Sequence, residues 1–270
     1  SILRSDKSKT FSVLSVGSGE GDLDLEIIQS LSDSLNSSKI RLRYVAIEPN
    51  LIHRQCFIEK LQKRAFDEST VEIVVRETYF GLENNTNYKN GDYNLVFLIH
   101  VLYYFNDSYR AIQQALAKTK SAGKVVIVHQ EETGIPQIQH QYMMSIKGDT
   151  KELLTAEKIE KLLTDKGDDY YYQSVDARLD VTECLAGSPE GIKIMSFCME
   201  CDLRHLPDSQ LEQLSQAFRS LSYFEETERA FMDEPIGIFI LPSFCKDKLL
   251  TRVLDDRDPT EDYWQLAKNF

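Results

Sequence analysis

Phe11-Ser-Val-Leu-Ser-Val16-Gly17-Ser-Gly19-Glu-Gly21-Asp-Leu-Asp-Leu25 is the stretch on which the reading of the fold turns. Its first six residues are rich in β-formers and stop at a cluster of glycines. Apolar Leu23, Leu25, Ile27, Ile28 and Leu31 then follow at mixed three- and four-residue spacing, the period of an amphipathic helix. A glycine turn between a first strand and a first helix lets the backbone approach a nucleotide, and the helix start supplies free N–H groups. The turn reads GxGxG, which differs from the GxGxxG of dinucleotide enzymes and lacks the lysine and hydroxyl of a phosphate loop.

Working outward, strand and helix patterns alternate. A second run, 40–47, ends in Glu48-Pro49, and a helix is expected from about Pro49 to Ala65, with Pro49 in its first turn. A third run covers 71–75, and a polar loop covers 82–92. Residues 93–100 are nearly all apolar, as in a strand buried on both faces. A helix over 108–119 leads to a fifth strand over 124–129, and Gly134-Ile-Pro136 reads as a loop. Thr155 is placed to cap a helix over 156–166, with Glu157 in its first turn. A sixth strand covers 170–175. The alternation predicts a parallel α/β sheet with right-handed crossovers. Residues 176–233 read as mostly helical, including 188–202 and a capped helix from Asp208, before a seventh strand over 236–241. The expected organisation is one domain over 1–242 with a helical insertion at 176–233. A tail, 243–270, carries Tyr263, Trp264, Leu266 and Phe270 and suits docking on this domain or a neighbour.

Of the 270 residues, 42% are hydrophobic and 27% charged, enough apolar material for a sizeable core. No run approaches the length of a membrane span, and the first ten residues carry no signal-peptide pattern. The expected compartment is cytoplasmic. The net charge of −12 offers no basic face for nucleic acid. Five scattered cysteines argue against a disulfide framework. Cys198 and Cys201 form one CxxC with no second pair or histidine to complete a zinc site, and His129, His140 and His205 lack partners at ligand spacing. No metal is expected.

Glu48 closes the second strand, where a carboxylate can accept hydrogen bonds from ribose hydroxyls, or simply complement the start of the next helix. The fourth strand delivers Ile99-His100-Val-Leu-Tyr103-Tyr104 to the same edge. Bulky residues there suit an adenosyl group and an aromatic-walled pocket. Together, 13–25, Val45-Ala-Ile-Glu-Pro49 and 99–104 resemble the histamine N-methyltransferase family, as does the order of elements over about 11–242. The resemblance implies a Rossmann-like, seven-stranded, mostly parallel sheet with helices on both faces and an insertion before the last strand. It implies S-adenosylmethionine as cofactor, contacted at Gly17, Glu48, His53, Tyr79 and Ile99, with Gly19 added by the turn itself. His53 stands where the family has glutamine, and Tyr79 where it has serine.

On the substrate side, the resemblance places His100 where the family has a glutamine and Glu234 where it has an asparagine, and it retains Tyr103 and Tyr104 as pocket walls. A family glutamate ahead of the first strand has no counterpart in the ten residues before Phe11. A nitrogen nucleophile must arrive neutral, and an imidazole with pKa near 6.5 does so at neutral pH. The expectation is that Glu234 anchors a cationic amine and His100 orients or deprotonates the accepting nitrogen. The expected function is methylation of an imidazole or other small biogenic amine. The alternatives are another acceptor (a histidine derivative, an imidazole dipeptide, a natural-product amine) and a non-catalytic scaffold that keeps the cofactor site.

Overall fold

The computed structural model describes residues 10–81, 89–148, 153–226 and 228–242. In chain order the strands are β1 (Thr10–Val16), β2 (Arg41–Ile47), β3 (Val71–Arg76), β4 (Tyr93–Ile99), β5 (Thr119–Gln130), β6 (Tyr171–Val175), β7 (Arg178–Asp180), β8 (Ser222–Phe224), β9 (Ala230–Asp233) and β10 (Ile236–Pro242). The helices are α1 (Asp22–Asn36), α2 (Leu51–Lys63), α3 (Ser108–Lys118), α4 (Ile135–Lys147), α5 (Ala156–Lys166), α6 (Thr182–Ala186), α7 (Pro189–Cys198) and α8 (Asp208–Ser220).

Seven strands form one sheet in the order β3-β2-β1-β4-β5-β10-β6. β1 runs parallel to both β2 and β4, and β2 parallel to β3. From Ser12 to Val16 every residue of β1 is buried, so this part of the strand is covered on both faces, as in the centre of a parallel sheet. The chain leaves β1 on one side for β2 and β3, then returns to pair β4 on the other. The reversal opens a crevice at the carboxyl ends of β1 and β4. Register sets its floor: Val16 pairs with Ile47 and with Leu98, and Ile47 pairs with Arg76. Gly17, Glu48, Ile99 and Glu77 therefore leave the sheet at the same level.

The described residues divide into two compact units, one drawn from 10–127, 169–171 and 239–242, the other from 128–168 and 172–238. The first is packed around Val13, Leu25, Ile28, Leu42, Tyr44, Ala46, Phe57 and Val71. Leu25 and Ile28 are the inward stripe of α1, spaced three apart as a 3.6-residue period requires. The second unit has its own core of Ile138, Met143, Val181, Cys184, Met195, Cys198, Met199, Leu203, Leu214, Phe218, Ala230 and Met232.

Four local expectations are corrected. Pro49 lies ahead of α2, because Asn50 caps it by accepting from the backbone N–H of Ile52 and His53. Gly134-Ile-Pro136 opens α4, with Gly134 at φ +82° and Pro136 in the first turn, where its missing N–H costs nothing. Thr155 and the residue before Asp208 occupy N-cap positions, but neither side chain makes a capping hydrogen bond. Within 176–233, β7, β9 and β8 form a small antiparallel sheet in that order. Strands of three or four residues carry no readable period, and β9 finds β7 about fifty residues away in sequence.

The tail at 243–270 lies outside the described residues. Among the described residues, no helix is long and apolar enough to cross a membrane, and no group of three or more His, Cys, Asp or Glu could hold a metal ion.

Candidate functional site

The glycine turn takes its shape from contacts on both sides. The N–H groups of Gly17 and Ser18 both donate to the carbonyl of Ile47, at 2.8 and 3.1 Å, which ties the turn to the end of β2. Gly17 has φ +68°, and a Cβ there would sit 2.7 Å from Cγ2 of buried Val101. Gly21, at φ +79°, begins α1 with its α-carbon against the Phe57 ring, which a Cβ would meet at 2.1 Å. Nothing lies within 4 Å of a Cβ built on Gly19. The turn is closely packed behind and open in front.

Glu48 is 6% exposed and joins this turn to the next helix. Its Oε2 accepts from the Gly19 N–H and its Oε1 from the Asn50 N–H, each at 2.8 Å. A carboxylate offers about four lone-pair directions. These two bonds leave one on each oxygen, which matches a vicinal pair of ribose hydroxyls. The Ser18 hydroxyl is shielded from water and has no hydrogen-bond partner among the described residues. A buried hydroxyl left so is costly, and a polar ligand over the turn would satisfy it. The residues present therefore fit an adenosyl cofactor.

His53 lies in the first turn of α2 and is half-buried, as is Tyr79 just beyond β3. Between them, Arg54 donates through Nη2 to Oε2 of Glu77 at 2.5 Å, with the guanidinium side nearly buried. This ion pair, which the sequence reading did not single out, ties α2 to the segment carrying Tyr79. A second omission is Asp24, 5% exposed in the first turn of α1, which accepts from the Tyr44 hydroxyl at 2.8 Å. Burial raises the pKa of both groups, and the pair braces α1 against β2 beneath the turn. Its two residues are twenty apart, and nothing in a one-dimensional pattern joins them.

Ile99 ends β4 half-buried. His100 follows at φ +46°, in the left-handed region that a non-glycine residue adopts only under constraint. Val101 behind it plugs the glycine turn, and a 3-10 turn over Leu102–Tyr104 follows. The rings of Tyr103 and Tyr104 meet edge-on with centroids 4.4 Å apart, and Tyr104 is exposed. The first unit thus brings the expected cofactor residues and His100, Tyr103 and Tyr104 to the carboxyl edge of its strands.

Glu234 belongs to the second unit, between β9 and β10. Its Oε2 accepts from the Ile135 N–H at 2.7 Å, at the start of α4. Gly134 makes room for it: a Cβ there would lie 2.1 Å from that oxygen. Burial pushes the Glu234 pKa up to about 7, against the opposing pull of the Ile135 hydrogen bond. The cysteines of this unit are structural in character. Burial pushes the Cys184 thiol up to about 11 and Cys198 to about 12, so neither is a thiolate at neutral pH. Cys201 is half-buried beyond the end of α7.

A family model described as Methyltransferase domain matches residues 3–170. Carnosine N-methyltransferase 2 of Gallus gallus is 27% identical over 194 residues, covering 70% of this chain and 59% of that protein. The chain thus spans less than two thirds of that relative's length. Histamine N-methyltransferase A of Xenopus laevis is 24% identical over 209 residues, covering 75% of this chain and 71% of that one. The crystal structure of the YcgJ protein from Bacillus subtilis superposes with a TM-score of 0.53 at 11% identity, covering 88% of this chain and 95% of that one. That likeness concerns the fold alone.

Proposed function

The chain belongs to the methyltransferase domain family, and from that premise we propose that it is an S-adenosylmethionine-dependent enzyme methylating a nitrogen of a small, imidazole-bearing or related biogenic amine. The observation that carries the cofactor half is Glu48, a buried carboxylate held by the Gly19 N–H and level with the mouth of β1. The amine half rests on similarity to two N-methyltransferases and on the residues at the substrate positions.

Bound S-adenosylmethionine supplies a methyl group on a cationic sulfur, which leaves with the C–S electron pair. The chain's part is binding and alignment. Glu48 would accept hydrogen bonds from the ribose hydroxyls, the Gly17–Gly21 turn would lie against the nucleoside, and His53, Tyr79 and Ile99 would hold the adenine side. Tyr103 and Tyr104 form aromatic wall. His100 orients the acceptor, whose unprotonated nitrogen must bring its lone pair to about 3–3.5 Å from the methyl carbon. It takes up the proton that the cationic methylated product then releases, which for an imidazole comes from the other ring nitrogen. Glu234 holds the charged end of the substrate. The enzyme works in the cytoplasm with a small-molecule amine as its partner, and neither nucleic acid nor membrane is required.

An imidazole dipeptide is the second reading, favoured by the similarity to a carnosine N-methyltransferase. One experiment tests both: transfer of a labelled methyl group to a panel of histamine, histidine derivatives, imidazole dipeptides, phenols and thiols. Transfer to an imidazole or amine supports the proposal. Transfer confined to phenols or thiols, or no heat on titration with S-adenosylmethionine, defeats it.

A further inference from the structure

Between the end of α6, α7 and α8, the second unit carries an open groove of about 260 Å³, lined by Ala186, Ile192, Met195, Leu211, Glu212 and Ser215 among others. Met195, 1% exposed, belongs to the core beneath, while Ile192 and Leu211 pack on that core and stay only half-buried. A concave apolar surface rimmed by polar groups marks a place of further packing. The polar groups here have a definite character. Ser215 Oγ donates to the Cys184 carbonyl at 3.0 Å, which commits its proton and leaves its lone pairs as acceptors. Glu212 is exposed and adds a carboxylate. The groove is thus suited to an apolar body that carries one hydrogen-bond donor, with a cation beside it.

The stretch Pro259-Thr260-Glu261-Asp262-Tyr263-Trp264-Gln-Leu266-Ala267-Lys268-Asn-Phe270, outside the described residues, has that chemistry. Thr260 followed by Glu261 and Asp262 is the pattern of a helix start. Tyr263, Leu266, Ala267 and Phe270 recur at i, i+3, i+4 and i+7, one face of a helix. Trp264, the sole tryptophan of the chain, borders that face, and an indole combines a large apolar body with an N–H that only donates. Lys268 follows four residues later and shares its side of the helix. Reach sets no barrier: residues 243–262 span up to roughly 70 Å when extended, against a radius of gyration of about 18 Å for a fold of this length.

We propose that the tail docks as a helix in the groove between α6, α7 and α8 of its own chain. Trp264 seats against Ile192, Met195 and Leu211, its N–H donates to the Ser215 oxygen, and Lys268 lies beside Glu212. The docked tail covers the place where the core of the second unit comes to the surface. Tethering presents it at a roughly millimolar effective concentration, and the tail of a second copy would have to compete from solution.

The test reads Trp264 directly, since no other residue of the chain is a tryptophan. In the full chain its emission should be blue-shifted from that of the denatured protein, and acrylamide should quench it several-fold less efficiently. Dilution should change neither. Leu211→Asp puts a charge in the apolar wall, and Ala186→Arg crowds the groove from an exposed position where a cation suits the helix end. Each variant should return emission and quenching to the values of the denatured chain. Solvent-like emission in the wild type overturns the proposal, as does a blue shift that survives in either folded variant, which would bury Trp264 elsewhere. A blue shift lost on dilution overturns it in favour of a second copy. Should Leu211→Asp fail to fold, Ala186→Arg alone decides, release supporting the docking and an unchanged signal overturning it.

Discussion

Glu48 Oε2 accepts the backbone N–H of Gly19 at 2.8 Å, so the end of β2 and the turn after β1 are held as one piece. The same carboxylate reaches Asn50, which in turn caps α2. Cofactor affinity should therefore be unusually sensitive to this side chain. In Glu48→Gln the shape is retained, but the charge is lost and an N–H donor now faces one of the two backbone donors. Hydrogen bonds to charged groups are worth about 1.5–3 kcal/mol. The Kd for S-adenosylmethionine should rise about 10- to 100-fold, read by calorimetry. A change under about twofold would remove Glu48 from the ribose.

Gly17 pairs a left-handed backbone with a close approach, and the two effects can be separated. Gly17→Ala adds a Cβ 2.7 Å from Val101 Cγ2 at φ +68°. The conformation alone costs about 1–2 kcal/mol, and the clash adds to it. Chemical denaturation should show that loss in Gly17→Ala. Pairing it with Val101→Ala relieves the contact but not the conformation, so the double variant should be more stable than the sum of the two single losses predicts. Strict additivity would show that Val101 moves aside freely.

These two positions also show what a sequence can and cannot carry. Gly17 and Glu48 were readable because each sits where a strand pattern stops, and parallel register turns matching strand ends into spatial neighbours. The seven strands were readable for the same reason. Asp24–Tyr44 and Arg54–Glu77 were not, since their partners lie on different elements with no common period. α4 was hidden by Gly134 and Pro136, which mark a loop as often as a helix start. β7, β8 and β9 were hidden by brevity.

His100 separates binding from chemistry. It lies beyond the strand end and takes no part in the Glu48–Gly19 contact, so His100→Ala should leave the Kd for S-adenosylmethionine within about twofold. If it orients the accepting nitrogen and takes its proton, kcat should fall about 10²-fold or more, the usual contribution of such a group. Equal losses in affinity and kcat would instead mean that the residue only holds the backbone at φ +46°.

Glu234 gives a pH dependence with a definite sign. Burial raises its folded-state pKa to about 7, above the 4.5 of an unfolded carboxyl. Between those values the folded chain binds the proton that the unfolded chain has released, so this group's contribution to stability is fully present below about 4.5. It declines as pH rises toward about 7 and is level above that. Affinity for a cation held by Glu234 should run the other way, strengthening through the same interval as the carboxylate forms. Glu234→Gln should abolish both trends, because the amide can still accept from Ile135 but cannot ionise. Denaturant midpoints and amine titrations at pH 5, 6, 7 and 8 would read the two slopes. Parallel slopes, or slopes that survive in Glu234→Gln, would assign the titration to another group.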